Sequence, residues 1–167
     1  MYIVIAGGGE MGGELARALE KTHDVVVIDR NPQARERFAS WDVKVVVGGA
    51  TDPDTLREAG VDRADLFVAS TDSDEINLLA SLLAKGLGAK EAFCFVGKGG
   101  YVAVLADPRT AEILGTRIDR VLWPQRAMAR EIVEVILVPW AVDTEVLAGG
   151  RLRFVEYRVK EGGEYVH

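Results

Sequence analysis

The sequence is short of the residues that build disulfide frameworks, metal centres and nucleic-acid surfaces. Cys94 is its one cysteine, which excludes a disulfide within the chain and a cysteine metal site. It stands inside an apolar run and reads as a buried, inert thiol. Only two histidines occur, His23 in a turn before a strand and His167 at the last position, and neither has ligand or triad spacing. Bases are outnumbered, 20 against 26 acids for a net charge of −6, and no basic run is interleaved with aromatics. No nucleic-acid partner is expected from such a surface. Long apolar runs are missing too. The nearest, 132–142, is broken by Glu134 and Pro139 and falls short of the roughly 18 residues a span needs, so no direct membrane insertion is expected. The first strand begins at Tyr2, leaving no room for a signal peptide, and a soluble cytoplasmic protein is expected. What is plentiful is apolar: 49% of the 167 residues are hydrophobic, enough for one well-packed domain and a small appendage.

The parts of a nucleotide-binding half-unit all fall within residues 1–30. Residues 2–6, YIVIA, suit a parallel strand buried on both faces. Gly7-Gly8-Gly9-Glu10-Met11-Gly12 follows and satisfies G-x-G-x-x-G. A helical pattern then carries Met11, Leu15 and Leu19, with Ala16 and Ala18 beside them. A second apolar run, 25–28, ends in Asp29, about 20 residues beyond the central glycine, as a dinucleotide fingerprint requires. Gly7 permits the tight turn, Gly9 lacks the Cβ that would block a pyrophosphate, and Gly12 lets the helix lie close to the sheet. The free N–H groups and positive dipole end of that helix face the phosphates. Asp29 accepts from the ribose hydroxyls and repels a 2′-phosphate, an effect Arg30 partly offsets, so NAD is preferred to NADP. Glu10 and Met11 belong to the same loop, although the helix dipole alone favours an acid at Glu10.

Strands and helices alternate beyond this unit. Asn31 and Pro32 signal a helix start, with Asn31 as cap, for a short helix through Phe38. Residues 43–47 make a third strand, turned by Gly48-Gly49-Ala50. Asp52-Pro53 then caps and opens a helix carrying Leu56 and Ala59. After a fourth strand at 66–69, Asp72 and Glu75 have capping-box spacing. Their helix carries Ile76, Leu79 and Leu83 on one face, with Leu78 and Leu82 on another, and ends at Lys85-Gly86. Capping accounts for Asp72 and Glu75, so the acids Asp72, Asp74 and Glu75 imply no metal. A fifth strand at 92–96 precedes the glycine loop 97–100. A helix near 108–114, a sixth strand at Arg120-Val121-Leu122 and a helix from Pro124 to about Val138 complete the alternation. The tryptophans, Trp41, Trp123 and Trp140, read as packing residues. The pattern predicts an α/β, doubly wound parallel sheet of Rossmann type, strand order 3-2-1-4-5-6. Its crevice lies between strands one and four, bounded by residues 7–12 and by Ser70-Thr71-Asp72. Residues 140–146 and 152–160 read as extended segments around Gly149-Gly150, a hairpin that has to pack on something. The expected organisation is a nucleotide-binding domain at 1–140 and a β extension at 141–167.

With these elements in place, residues 1 to about 140 resemble the KTN or RCK (TrkA-N) family, cytoplasmic nucleotide-binding regulators of potassium uptake systems and channels. The resemblance rests on the glycine loop and on Val25-Val26-Val27-Ile28-Asp29. Gly48-x-Ala50-Thr51-Asp52-Pro53, Leu56-x-x-Ala59-Gly60-Val61-x-x-Ala64-Asp65 and Thr71-Asp72-x-Asp74-x-x-Asn77 extend it beyond a generic dinucleotide fold. It implies that Gly7, Gly9, Gly12 and Asp29 bind the nucleotide, with Ala50, Thr51 and Asp52 near the adenine and Thr71 above the phosphates. It also makes 141–167 a truncated start of the family's carboxyl-terminal domain. Three positions depart from the family pattern: Glu10 and Phe95 stand where arginines are frequent, and Gly49 where an aspartate is common. With two cations fewer, Lys98 is the candidate replacement, and NAD(H) is expected ahead of ADP, AMP or ATP.

Two functions follow as expectations. The resemblance implies a nucleotide-binding regulatory subunit, without catalysis. It would be a homodimer or larger ring, cytoplasmic and held at the inner membrane through a potassium transporter or channel subunit. The alternative is a small NAD-dependent oxidoreductase. That needs an acid or base at the nicotinamide and a substrate domain, yet no Tyr-x-x-x-Lys pair occurs and few residues remain past the fold.

Overall fold

A computed structural model describes residues 1–105, 107–114, 118–137, 141–147 and 152–157. The apolar runs become strands: β1 (Tyr2–Ala6), β2 (Asp24–Asp29), β3 (Val43–Val47), β4 (Leu66–Ala69), β5 (Glu91–Phe95) and β6 (Arg120–Leu122). They form one parallel sheet in the expected order β3-β2-β1-β4-β5-β6. β1 lies between two partners, with Ala6 opposite Ile28 on one side and Ala69 on the other. Because strand side chains alternate, Val4, Ala6, Val26, Ile28 and Phe67 serve one core, and Ile3, Ile5, Val25, Val27 and Val68 the other. The helices α3 (Pro53–Glu58) and α4 (Asp74–Leu87) cover the first face through Leu56, Ala80 and Ala84. The second face is covered by α1 (Glu10–Leu19) and α2 (Ala34–Arg37) through Ala16, Ala34 and the following Phe38. Phe38 is fully buried and meets Trp41 edge-on at 5.1 Å. Cys94 is buried as expected, and desolvation pushes its thiol up to about 11, so it stays protonated.

Several local expectations need correction. From its pattern Asn31 caps α2, but the helix begins later, at Ala34, while the Asn31 carboxamide oxygen accepts from Gln33 N at 3.0 Å in a turn that precedes it. Met11 is 42% exposed; the buried side of α1 is Gly12, Gly13 and Ala16. In α4 the buried stripe is Asn77, Ala80, Ser81 and Ala84, flanked by Ile76, Leu83 and Leu87, and Leu79 is 49% exposed. Small residues win that stripe because the helix lies close against the sheet. The α4 cap is Ser73, whose hydroxyl accepts from Ile76 N, rather than Asp72, and the helix runs past Lys85-Gly86 to Leu87. The glycine loop at 97–100 is short, for Gly99 opens an unexpected helix, α5 (Gly99–Leu105). A Cβ at Gly99 would overlap the Trp123 ring, so that glycine serves packing rather than a loop. α6 (Pro108–Leu114) follows as expected.

The chain divides into two compact units, Met1–Pro124 and Gln125–His167. The second contains most of α7 (Pro124–Leu137) and the antiparallel pair β7 (Ala141–Leu147) and β8 (Leu152–Tyr157). The expected turn at Gly149-Gly150 lies outside the described residues. Among the described residues, no helix is long and apolar enough to cross a membrane.

Acids at the start of α4 tie it to the next βα connection. The Asp74 carboxylate accepts from Gly97 N at 2.6 Å and Lys98 N at 3.0 Å. Glu75 accepts from the Ser73 and Tyr101 hydroxyls, each at 3.0 Å, and pairs with Lys98 at 3.5 Å. Its own backbone N–H, then Ser73, Tyr101 and Lys98, hold its carboxyl at about 2, below the ordinary 4.5. A depressed folded-state pKa gives stability that is present above about 4.5 and is lost as pH falls through about 2. Glu75→Gln is therefore expected to flatten the acid limb of the stability curve over that window. Parallel urea titrations of both proteins at several pH values test this; identical slopes would remove Glu75 from the acid response.

Candidate nucleotide-binding site

The glycine loop is built by contacts that only glycine permits. Gly7 has φ +100°, and a Cβ there would come within 2.8 Å of the Ser70 carbonyl oxygen. Its N–H donates to Ile28 O at 2.8 Å, so the chain turns sharply across the end of β2. Gly12 lies directly against Gly7, and a Cβ there would overlap the Gly7 carbonyl. A Cβ at Gly9, by contrast, meets nothing within 4 Å, which leaves the space above the loop open.

Asp29 holds this loop in place. Its Oδ2 accepts from Gly8 N and its Oδ1 from Asn31 N, both at 2.8 Å. The carboxylate thereby joins the first glycine turn to the end of β2 while keeping further lone pairs for a ligand. Across the crevice, Thr71 is placed by Asn77, which is 2% exposed. Asn77 Oδ1 accepts from Thr71 N at 2.8 Å and from Thr71 Oγ1 at 2.6 Å. Its Nδ2 donates to Thr71 O at 3.1 Å and to Phe95 O at 3.0 Å. Every polar atom of this buried side chain is satisfied.

Between these walls lies a cavity of about 530 Å³ at the carboxyl ends of β1, β2 and β4. Of the residues expected from sequence, Gly7, Gly9, Asp29, Arg30, Ala50, Thr51 and Thr71 line it, as do Ser70 and Asp72. Four others are placed elsewhere. Glu10 and Met11 are exposed on α1, and Gly12 is buried beneath the loop. Asp52 caps α3, accepting from Thr55 N at 3.2 Å and Thr55 Oγ1 at 2.6 Å. Those bonds from Thr55 hold its carboxyl below the ordinary value. Asn31 and Ile76, which the pattern reads as a helix cap and a helix-face residue rather than as site residues, also line the cavity, as does Arg37, which the pattern does not single out. Ile76 follows from the start of α4, and Asn31 from its neighbour Asp29. Lys98, the candidate replacement cation, is paired with Glu75, and it is not among the lining residues. Arg30 pairs with Asp72 across the mouth at 3.4 Å.

A parallel sheet of this order, with a glycine loop at its first βα turn and an acid ending the second strand, defines a Rossmann-like dinucleotide-binding fold. The family model of the TrkA-N domain matches residues 3–124, and the chain belongs to that family. It is 38% identical over 164 residues to the Trk system potassium uptake protein TrkA homolog of Archaeoglobus fulgidus, covering 98% of this chain and 37% of that protein. The chain thus spans a little over a third of that relative's length. Among solved structures, the TrkA-N domain of the inner membrane protein YbaL from Escherichia coli shares the fold. Its TM-score is 0.68 at 18% identity, over 81% of this chain and 96% of that one. The RCK domain of GsuK aligns with a TM-score of 0.63 at 25% identity, over 83% of this chain and 28% of that one.

Proposed function

We propose that the cleft binds an adenine nucleotide and that the bound nucleotide regulates potassium transport through a membrane transporter or channel subunit, without catalysis. In this reading residues 1–140 are the nucleotide-binding domain and 141–167 a β extension or the start of a further domain. The protein works as a homodimer or larger ring on the cytoplasmic side, held at the membrane by its partner. The observation that carries the reading is Asp29, anchored to Gly8 N and Asn31 N at the rim of a cavity whose floor is the glycine loop. A fixed carboxylate beside a glycine loop at the start of a helix matches a ribose joined to a pyrophosphate. Family membership and the Trk system relative support the regulatory role. Among the described residues, the cavity lining holds no histidine, tyrosine, lysine or cysteine of the kind hydride-transfer sites use, which favours binding over chemistry. A second copy suits the apolar side chains exposed on α7, among them Met128, Ile132 and Ile136. NAD(H) is preferred to ADP, AMP and ATP because Asp29 ends the second strand beside the glycine loop, as in a dinucleotide fingerprint.

Such a ligand regulates only through unequal affinity for two states of the assembly. The test is calorimetric titration with NADH, ADP, AMP and ATP, repeated on Asp29→Ala. Loss of a charged acceptor should weaken binding by about 1.5–3 kcal/mol, roughly tenfold to over a hundredfold. Unchanged affinity in a folded Asp29→Ala protein would take Asp29 out of the site. Light scattering at micromolar concentration checks assembly, and a monomer mass with and without nucleotide would sink the dimer.

A further inference from the structure

Arg37 brings a cation to the glycine loop from another part of the chain. It is the last residue of α2, and its guanidinium reaches back so that one Nη donates to the Gly8 carbonyl. The N–H of that same Gly8 is held by Asp29 Oδ2 at 2.8 Å, so loop, carboxylate and guanidinium form one connected unit. The backbone on either side of this contact is anchored by packing. The next residue, Phe38, is fully buried, and Gly8 sits so close over its ring that a Cβ would come within 2.9 Å of Cε2. Arg37 lines the same cavity as Gly9, above which the space is open.

The charges around the cleft set Arg37 apart. Arg30 is partnered by Asp72, and Lys98 by Glu75. Among the described residues, Arg37 stands in no ion pair. A guanidinium offers five N–H donors in a planar fork, and the Gly8 carbonyl uses one. The remainder match phosphate oxygens, which form short, charge-assisted bonds with such a fork. Sequence spacing does not announce this residue, because α2 reaches the loop only through tertiary packing.

We propose that Arg37 is a phosphate-binding residue of the cleft, and that it makes the ligand a phosphorylated nucleotide rather than a nucleoside. The inference rests on the nucleotide reading of the cavity. The phosphate it meets belongs either to the 5′-phosphate chain over the loop or to a 2′-phosphate on the ribose beside Asp29.

Titration of the intact chain with adenosine, ADP, NADH and NADPH at fixed salt tests this, comparing the unmodified protein with Arg37→Gln and Arg37→Lys. Thermal unfolding of each confirms the fold. Arg37→Gln should weaken ADP and the dinucleotides at least tenfold and leave adenosine unchanged, with Arg37→Lys in between. A loss shared by ADP, NADH and NADPH assigns the guanidinium to the 5′-phosphates; a loss confined to NADPH assigns it to the 2′-phosphate. Equal affinities before and after substitution overturn the proposal. So does an equal loss for adenosine, which would make Arg37 a brace for the loop alone. If the unmodified protein binds none of the four ligands, the nucleotide reading falls, and this inference with it.

Discussion

Gly12→Ala is expected to cost at least about 3 kcal/mol of folding stability, at or beyond the upper end of ordinary overpacking effects. The added Cβ would overlap the Gly7 carbonyl, with Ser70 Oγ at 3.0 Å as a further obstacle. A backbone oxygen cannot rotate away as a side-chain end can, and Gly7 is itself fixed at φ +100°. Either α1 lifts from the sheet or the first turn opens, and both remove the loop as a site. Against a total of about 5–15 kcal/mol for a typical domain, the loss is a large part of the whole. Gly9→Val is the contrasting case. Its Cβ meets nothing within 4 Å, so it should lose only about 1 kcal/mol, through poorer capping of α1. Binding should nevertheless fail, because the side chain stands where the pyrophosphate would lie. Urea unfolding and nucleotide titration of both variants separate the two effects. A stable Gly12→Ala protein would contradict the close loop–helix contact, and normal binding by Gly9→Val would reduce the loop to a turn.

The second large effect is expected at Asn77. Asn77→Ala strips partners from Thr71 N, Thr71 O and Phe95 O together, in a position where the asparagine is 2% exposed. At about 1–3 kcal/mol for each buried group left unpaired, and with some relaxation, a total near 3 kcal/mol is expected. The damage extends to binding, because Thr71 lines the cavity. Asn77→Asp keeps the acceptor for Thr71 N and Oγ1 but sets a buried carboxylate oxygen against the Thr71 and Phe95 carbonyls, so it should destabilise at least as much as Asn77→Ala. The measurement is the denaturation midpoint at unchanged slope, with nucleotide affinity determined on the folded fraction. If Asn77→Ala is as stable as the unmodified chain, the four-bond arrangement is not what holds this wall.

Much of this architecture is legible before any coordinates. Runs such as Val25-Val26-Val27-Ile28 announce strands buried on both faces, and their alternation with helices leads directly to the observed strand order. The loop glycines and Asp29 are equally plain, because they follow the spacing of a dinucleotide fingerprint. What was not legible depends on how surfaces meet. Gly99 reads as a loop residue until the Trp123 ring is seen against it. Leu79 reads as core by period, but α4 packs through Ala80 and Ala84, since small residues allow a closer approach than leucine. Asp52 shows the limits of a motif: it caps α3 as its spacing predicts, and those bonds occupy the oxygens that a ligand would need. Arg37 is the clearest case, since nothing in its local pattern indicates that its side chain reaches Gly8.

The central place of β1 has a consequence for how the molecule is made. β1 pairs with β2 and also with β4, whose residues come some sixty positions later, and Asp65 Oδ2 accepts from Tyr2 N across a separation of 63. Closing that distance costs loop entropy before any contact repays it, so pairing of β1 with β4 belongs among the slow, non-local steps of folding. As the chain is made, the glycine loop and β2 emerge ahead of β4, so one wall of the crevice precedes the other. The other wall arrives only with β4 and α4, when Ser70 N can donate to Ala6 O and Asn77 can seat Thr71. Until then the nascent segment has the dinucleotide fingerprint and only one wall of its crevice.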